Sequence, residues 1–487
     1  MIDRMIGLTL ILLLVFTPIA FGAMDLWAFS LMELGILFVI VLWALQLGVI
    51  SLSRTPNSNL TFIRQSAIRI PQWILLGLFL CLILFQMTPL PSGLVKALSP
   101  QTYDLRHYLL KDVGLQPSAL GLEPLAKSFS LSLVPFSTQV EFFKWLTLIG
   151  LFLLLQYWNP PDKGRRWFTP FVIVIFMMGI LESLYGMFEV FSGHNQALNI
   201  KLDDSSVAGT FISRNYFAGY LLMVIPISIG FLLSREEFQA FRFRGWRNWL
   251  PSLHGKTLLI GFGAMVMILS LFFSASRMGI TSLLFSFLLI VILLRSVHGE
   301  RKISRVPILI LALALFWAAW IGLDVTINRF FEVTESFESR WTMWMNTFRI
   351  IKDFPLLGTG LGTFSQVFPR YRTFHVMGLA THAENDFLQL ASEAGLAGMG
   401  LLLILFVSFF YKALSGIRSI SLGDPGRYIG IGGLVGILAL MLHSTVEANI
   451  QIPANSFLFV FIFALILRLP DSSHKRWSHD QDATSTH

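Results

Sequence analysis

Apolar runs of about 20 residues, the length of helix that crosses the hydrocarbon layer of a membrane, follow one another along most of the chain. Shorter polar stretches separate them. The pattern therefore predicts an all-α integral membrane protein with about 12 transmembrane helices. The predicted spans cover residues 5–23, 27–50, 69–87, 141–158, 168–191, 216–233, 257–273, 279–295, 306–323, 387–410, 428–446 and 453–469.

The composition agrees with a membrane protein. Hydrophobic residues make up 55% of the chain and charged residues 13%, which is about half the charged share of a typical soluble domain. These values exclude a water-soluble enzyme, and they exclude a disordered chain, which needs low hydrophobicity and high charge. The single cysteine, Cys81, excludes a disulfide framework and a cysteine-based zinc site. With no Cys/His cluster in the sequence, we expect no metal and no cofactor.

The distribution of positive charge predicts the orientation of the chain. If the N-terminus lies in the cytoplasm, most of the 36 lysines and arginines fall in cytoplasmic loops, as the positive-inside rule requires. Both termini are then predicted to be cytoplasmic. The net charge of +8 would suit a nucleic-acid partner only if it formed a patch, and it is spread over short loops instead. The sequence therefore predicts no nucleic-acid partner.

Two outer loops are long, at residues 88–140 and 324–386. The second connects spans nine and ten and is too long for a simple connector, so it is predicted to be partly structured. Its amphipathic stretch, residues 341–348, would lie in the interface plane. Residues 1–470, including these two loops, are predicted to form one membrane domain. Residues 471–487 are predicted to form a polar, disordered cytoplasmic tail.

Charged residues lie at the outer ends of three spans. Because a charge near the membrane is energetically unfavourable, each of them is a candidate for a functional role. Arg214 precedes span six, Arg277 lies in the very short turn before span eight, and residues 381–386 precede span ten. Guanidinium groups bind phosphate oxygens bidentately, so two arginines can hold a diphosphate. His382 or Glu384 beside them can take a proton from an acceptor hydroxyl. This set indicates glycosyl transfer from a lipid diphosphate.

The same residues also allow interpretations without a catalytic role. The arginines can reach to phospholipid headgroups, and His382 and Glu384 can be solvated loop residues. His443 and Glu447, near the outer end of span eleven, either line the same cavity or satisfy one another. Two carboxyl residues inside or near spans, Glu33 and Glu182, keep open a different class of function, a polysaccharide or proton-coupled transporter.

Several short motifs make residues 75–469 resemble the O-antigen ligase and polymerase family of bacterial membrane glycosyltransferases. Their order, their spacing and the large loop before span ten carry the resemblance. The motifs are Pro89 to Leu94, Leu133 to Thr138, Gly209 to Gly219, Ser276-Arg277, Pro355 to Gly362, residues 382–398, and His443-Ser444 through Gln451 to Asn455.

The resemblance implies a GT-C-like fold and a metal-independent, inverting transferase in the bacterial inner membrane. Its donor would be a glycan on undecaprenyl diphosphate at the periplasmic face, and membrane lipids would surround it. A ligase passes the glycan to lipid A-core, whereas a polymerase passes it to another lipid-linked repeat unit. We expect the ligase type of reaction, with an O-antigen or exopolysaccharide polymerase as the alternative.

Site residues follow from matching the family's motifs to this chain. The resemblance implies that Arg214 and Arg277 contact the donor diphosphate and that Arg340 is the basic residue of the large loop. Asn385, Gly395 and Gly398 keep the register of the ligase motif, but Glu384 occupies the position of its histidine, and the nearest histidine is His382. The candidate bases are therefore Glu384 and His382. The predicted supporting residues are Asn215, Asn385, His443 and Glu447.

Overall fold

A computed structural model gives the fold as a bundle of long helices. The residues that it describes are 1–53, 70–112, 128–158, 167–192, 196–197, 200–201, 206–241, 254–298, 305–321, 333–374 and 380–484. The helices of this part are α1 Ile2–Ile19, α2 Leu26–Ser53, α3 Ile70–Met87, α4 Ser92–Leu98, α5 Pro100–Asp112, α6 Pro135–Tyr157, α7 Thr169–Phe191, α8 Arg214–Leu233, α9 Glu236–Phe241, α10 Gly255–Phe273, α11 Arg277–His298, α12 Arg305–Ile321, α13 Val333–Asp353, α14 Phe364–Val367, α15 Asp386–Ser419, α16 Pro425–His443 and α17 Pro453–Thr484.

The predicted all-α membrane architecture is confirmed. Every predicted span coincides with a helix, and within the described ranges ten helices are long and apolar enough to cross a membrane. The apolar parts of α3 and α12 are shorter, at Gln72–Met87 and Arg305–Trp320. The protein is therefore a multi-pass membrane protein, and the count of twelve spans stays a prediction.

The outer loop at residues 88–140 is folded in its described part. It contains α4 and α5, and the short strands β1 Leu90–Pro91 and β2 Ser128–Phe129 pair in antiparallel fashion. A second two-stranded ribbon, β3 Gln196–Ala197 with β4 Ile200–Lys201, follows α7. Arg106 on α5 donates to the carbonyls of Ser132 and Leu133 at 2.9 and 3.0 Å. Those bonds tie the loop to the start of α6.

Helices α8 and α16 form the buried centre of the bundle, packed against each other in opposite directions. Glycines allow the two backbones to touch: a Cβ on Gly230 would lie 2.3 Å from the carbonyl oxygen of Tyr428, and one on Gly432 would lie 2.2 Å from that of Pro226. Small residues at helix contacts permit this close approach in membranes. As a result, the start of α8 and the end of α16 lie at one end of the bundle, called here the site end.

The large loop before α15 is anchored to that helix by backbone pairing. α15 breaks at Gly395, which has a φ of 67°. The amides of Leu396 and Ala397 donate to the carbonyls of Pro355 and Leu356 at 2.9 and 3.1 Å. The glycine-rich segment 358–362 continues this pairing and has a positive φ at each of its three glycines.

The last helix differs from the sequence-based expectation. α17 continues through the chain to Thr484, so it covers most of the segment 471–487 for which the polar composition predicted disorder. Extending an existing helix costs less free energy than nucleating a new one, so an apolar span can carry a polar extension.

Candidate functional site

Four helix ends that carry predicted site residues meet at the site end. α8 begins with Arg214, α11 begins with Arg277, α15 begins just after Asn385, and α16 ends with His443. α8 and α11 both pack along α16. The helix ends for which the sequence predicts one side of the membrane therefore lie at the same end of the bundle.

Glu447, in the turn after α16, is the centre of a polar cluster. Its side chain is 3% exposed. The Nη2 of Arg340 on α13 donates to its Oε1 and forms an ion pair with it. The side chains of Asn215 and Glu384 also hydrogen-bond this carboxyl group. The structure therefore brings four of the predicted site residues into direct contact.

The environment of Glu447 favours its protonated form. Burial raises the pKa of this carboxyl well above its ordinary value, the Arg340 guanidinium acts in the opposite direction, and the adjoining Glu384 carboxyl raises the pKa further. Two carboxyl groups in contact avoid a double negative charge by keeping a proton between them. A protonated Glu447 can then donate a hydrogen bond to the Glu384 carboxyl group.

Glu384 lies in a strained turn directly before α15. Its φ is 50°, a left-handed conformation that side-chain-bearing residues seldom adopt. The indole Nε1 of Trp344 donates to its carbonyl oxygen at 3.2 Å. Strain of this kind persists where surrounding contacts hold it, and it is concentrated at functional sites. The turn thus presents the Glu384 side chain to the Glu447 cluster.

Asn385 holds this turn from the other side. Its Oδ1 caps α15 by accepting from the amides of Phe387 and Leu388, both at 3.0 Å. Its Nδ2 donates to the carbonyl of Thr445 at 2.7 Å. Because Asn385 uses both ends of its amide group, it joins the candidate base to the turn that carries Glu447.

His443 links the same turn to Arg277. It is fully buried, its Nδ1 lies 3.0 Å from Nδ2 of Asn449, and its Nε2 lies 3.5 Å from Oγ of Ser276. Ser276 also accepts from the amide of Gly279 at 3.3 Å at the start of α11. The imidazole therefore supports the turn that places Arg277, and it does not face an open site.

Arg214 is partly buried at the first position of α8, and its Nη1 donates to Oγ of Ser206 at 3.4 Å. The chain before it is held by Glu182, whose Oε2 accepts from the amide of Thr210 at 2.9 Å. Because Asn215 follows directly and contacts Glu447, Arg214 adjoins the cluster along the chain.

His382 belongs to a different polar group. Burial lowers the pKa of this histidine to about 4, nearby Lys144 lowers it further, and a hydrogen bond with Gln389 opposes both. Lys144 itself pairs with Glu141 at 2.6 Å. His382 is thus a weaker base than an ordinary histidine and adjoins Lys144 and Gln389, whereas Glu384 adjoins Glu447.

Trp344 is the site residue that the sequence analysis missed. It follows Arg340 by four residues, a spacing that places two side chains on one face of a helix. That spacing was the available signal, because Trp344 lies in the amphipathic stretch of residues 341–348. Within the described residues, no group of three or more His, Cys, Asp or Glu side chains is arranged to hold a metal ion.

A cavity of about 740 Å³ lies at the opposite end of the bundle, where α7, α10 and α16 begin. Its described lining includes Arg235, Glu237 and His254, and it includes none of the site residues predicted from the sequence. The candidate site is therefore defined by the convergent polar side chains at the site end.

Comparison with known protein families gives a match to part of the chain. The family model described as O-antigen ligase matches residues 262–404, a range that includes Arg277, Arg340, Glu384 and Asn385. The range is narrower than the resemblance over residues 75–469 and leaves out Arg214 and Glu447. No curated protein is similar enough to the chain to count as a relative. Over residues 262–404, less than a third of its length, the chain is therefore similar to the O-antigen ligase family.

Proposed function

We propose that the protein transfers a glycan from undecaprenyl diphosphate to an acceptor at the periplasmic face of the bacterial inner membrane. The family match supports glycosyl transfer of the O-antigen ligase or polymerase type. The finer assignment is to a ligase-like, metal-independent and inverting reaction with lipid A-core as acceptor. The observation that supports it best is the strained Glu384 turn, which lies in contact with Glu447 at the bundle end where α8 and α11 begin with arginines.

The proposed chemistry assigns the arginines to the leaving group. Arg214 and Arg277 bind the diphosphate oxygens and neutralise the negative charge that grows as the bond to the sugar breaks. Preorganised positive groups of this kind contribute several kcal/mol to transition-state stabilisation, about 3–4 kcal/mol for a single donor. Both arginines begin helices that are anchored in the bundle, so their positions are set before the donor binds.

The proposed base is Glu384. Its carboxylate takes the proton of the acceptor hydroxyl while that oxygen forms a bond to the anomeric carbon. The bond from the anomeric carbon to the phosphate oxygen breaks, and undecaprenyl diphosphate leaves with the electron pair. Attack from the face opposite to the leaving group inverts the anomeric configuration. His382 is less suited to the role because its lowered pKa reduces its basicity.

The test uses purified protein and a synthetic undecaprenyl-linked glycan. One reaction contains lipid A-core, and another contains excess donor alone. Glycan on lipid A-core identifies a ligase, whereas a ladder of products on the lipid carrier identifies a polymerase. Absence of transfer in both reactions overturns the enzyme assignment.

Variants test the assigned residues in the same reactions. Arg277→Ala is expected to abolish transfer, while Arg349→Ala, at an exposed arginine on α13, is the matched control. Glu384→Gln is expected to abolish transfer, whereas His382→Gln is expected to retain it. Glu338→Gln, at an exposed carboxylate on α13, is the control for Glu384→Gln. Full activity of Arg277→Ala contradicts the proposed donor site, and full activity of Glu384→Gln contradicts the proposed base.

A further inference from the structure

Arg340 is engaged by a protein carboxyl group in this structure. It lies on α13, and its guanidinium forms an ion pair with Glu447, which is almost completely buried. Removing the cationic partner of a buried carboxyl group is unfavourable, because no water is there to take the place of the guanidinium. If Arg340 moved to a donor diphosphate, Glu447 would lose its only cationic partner among the described contacts. The geometry thus opposes the donor-binding role expected for Arg340.

Glu447 connects Arg340 to the candidate base. Its carboxyl group is hydrogen-bonded to the side chains of Glu384 and Asn215. Two carboxyl groups in contact share a proton, and that proton fixes their relative orientation. Side-chain contacts therefore connect Arg340 to Glu447 and Glu447 to Glu384. Asn215 on α8 contacts the Glu447 carboxyl group as well.

The same face of α13 also holds Glu384 by its backbone. Trp344 lies one helical turn after Arg340 and donates to the Glu384 carbonyl at 3.2 Å. α13 thus contacts the candidate base at two points, directly at the main chain and through Glu447 at the carboxylate. A base held at both points keeps one orientation when the acceptor arrives.

We propose that Glu447 and Arg340 are positioning residues that orient the Glu384 carboxylate, and that Arg340 does not bind the donor diphosphate. The inference rests on the proposed function, in which Glu384 is the base. In this arrangement Glu447 donates a hydrogen bond to the Glu384 carboxylate. Glu384 accepts the proton of the acceptor hydroxyl during transfer and releases it to water when the product leaves.

Steady-state kinetics with the full-length protein test this proposal. Arg340→Ala and Glu447→Ala are each expected to lower kcat by at least about tenfold while the donor KM changes by less than about twofold, since positioning acts on the transition state. The kcat of the double variant is expected to be no more than about threefold below that of the less active single variant, because the effects of residues that act as one unit are not additive. Arg349→Ala is the matched control.

Glu447→Gln separates positioning from bulk structural support. Its amide can still accept from Arg340 and donate to Glu384, so kcat at neutral pH is expected to recover to within about threefold of the unmodified protein. Glu447→Leu fills similar space without polar atoms and is expected to remain as slow as Glu447→Ala. A merely structural residue would be restored by leucine as well as by glutamine.

Three results would overturn the inference. They are a donor KM that rises in Arg340→Ala with kcat unchanged, additive losses in the double variant, and a kcat in Glu447→Leu as high as that in Glu447→Gln. If Glu447→Ala does not fold, the kinetics of Arg340→Ala and Glu447→Gln still decide. Arg277→Ala tests the proposed function separately. If Arg277→Ala and Glu384→Gln are inactive while Arg340→Ala raises the donor KM, the results support the proposed function and contradict only the positioning role of Arg340.

Discussion

Trp344 donates its indole N–H to the backbone carbonyl of Glu384 at 3.2 Å, and so ties the large loop to the turn that presents the proposed base. Trp344→Phe keeps the ring and removes the donor. Because one hydrogen bond contributes about 0.5–1.5 kcal/mol, we expect kcat to fall by about three- to tenfold. Initial rates at saturating donor measure the change. Trp341→Phe, at an exposed tryptophan on the same helix, is the control, and an equal loss in both variants would contradict the role of this bond.

His382 predicts a pH dependence of folding stability. Its pKa is about 4 in the folded protein, against about 6.5 in an ordinary histidine. The unfolded chain therefore takes up the proton first as the pH falls. The contribution is complete above about pH 6.5 and declines toward pH 4, by at most about 3 kcal/mol. Thermal unfolding in detergent at pH 7.5 and pH 5 should show a smaller loss for His382→Gln than for the unmodified protein. His107→Gln, at an exposed histidine, should not change this loss.

The break in α15 predicts opposite effects for two glycines of one helix. A Cβ on Gly395 would lie 2.2 Å from the carbonyl oxygen of Leu356, and the φ of 67° is unfavourable for alanine. Gly395→Ala should destabilise the protein by more than about 2 kcal/mol. A Cβ on Gly400 meets nothing within 4 Å, so Gly400→Ala should be neutral or stabilising by up to about 1 kcal/mol. Equal melting temperatures for the two variants would contradict this assignment.

Glu182 distinguishes a transferase from a proton-coupled transporter. Its carboxylate accepts from both the amide and the hydroxyl of Thr210 at 2.9 Å, which holds the segment before Arg214. An amide oxygen can accept the same bonds, so Glu182→Gln should keep transfer within about tenfold of the unmodified protein. A transporter that used this carboxyl as a proton carrier would lose its function completely. Transfer assays and proton-uptake assays in proteoliposomes measure the two outcomes.

The membrane architecture was predictable because it depends on local composition. Each apolar run coincides with a helix, since the backbone in a membrane must satisfy its hydrogen bonds within its own segment. The helical extension to Thr484 was not predicted, because composition alone does not show that a preceding span can propagate its helix.

The sequence named the members of the polar cluster around Glu447 and not their pairings. Arg340, Glu384 and Glu447 were all candidates, but they are separated by 44 or more residues in sequence. Their contact depends on how α13 lies across the start of α15 and the end of α16. Trp344 was missed for the same reason, since an amphipathic helix does not indicate which partner it contacts.

The sequence by itself determined that this protein crosses the membrane many times and that its chemistry-bearing residues collect at one set of helix ends. Hydrophobic length and the parity of the spans are sufficient for both conclusions. Only the tertiary structure decided that Arg340 pairs with Glu447, that Glu447 contacts Glu384, and that His382 lies with Lys144. Such pairings depend on distances and burial created by packing, and residues far apart in the chain acquire them only when the helices assemble.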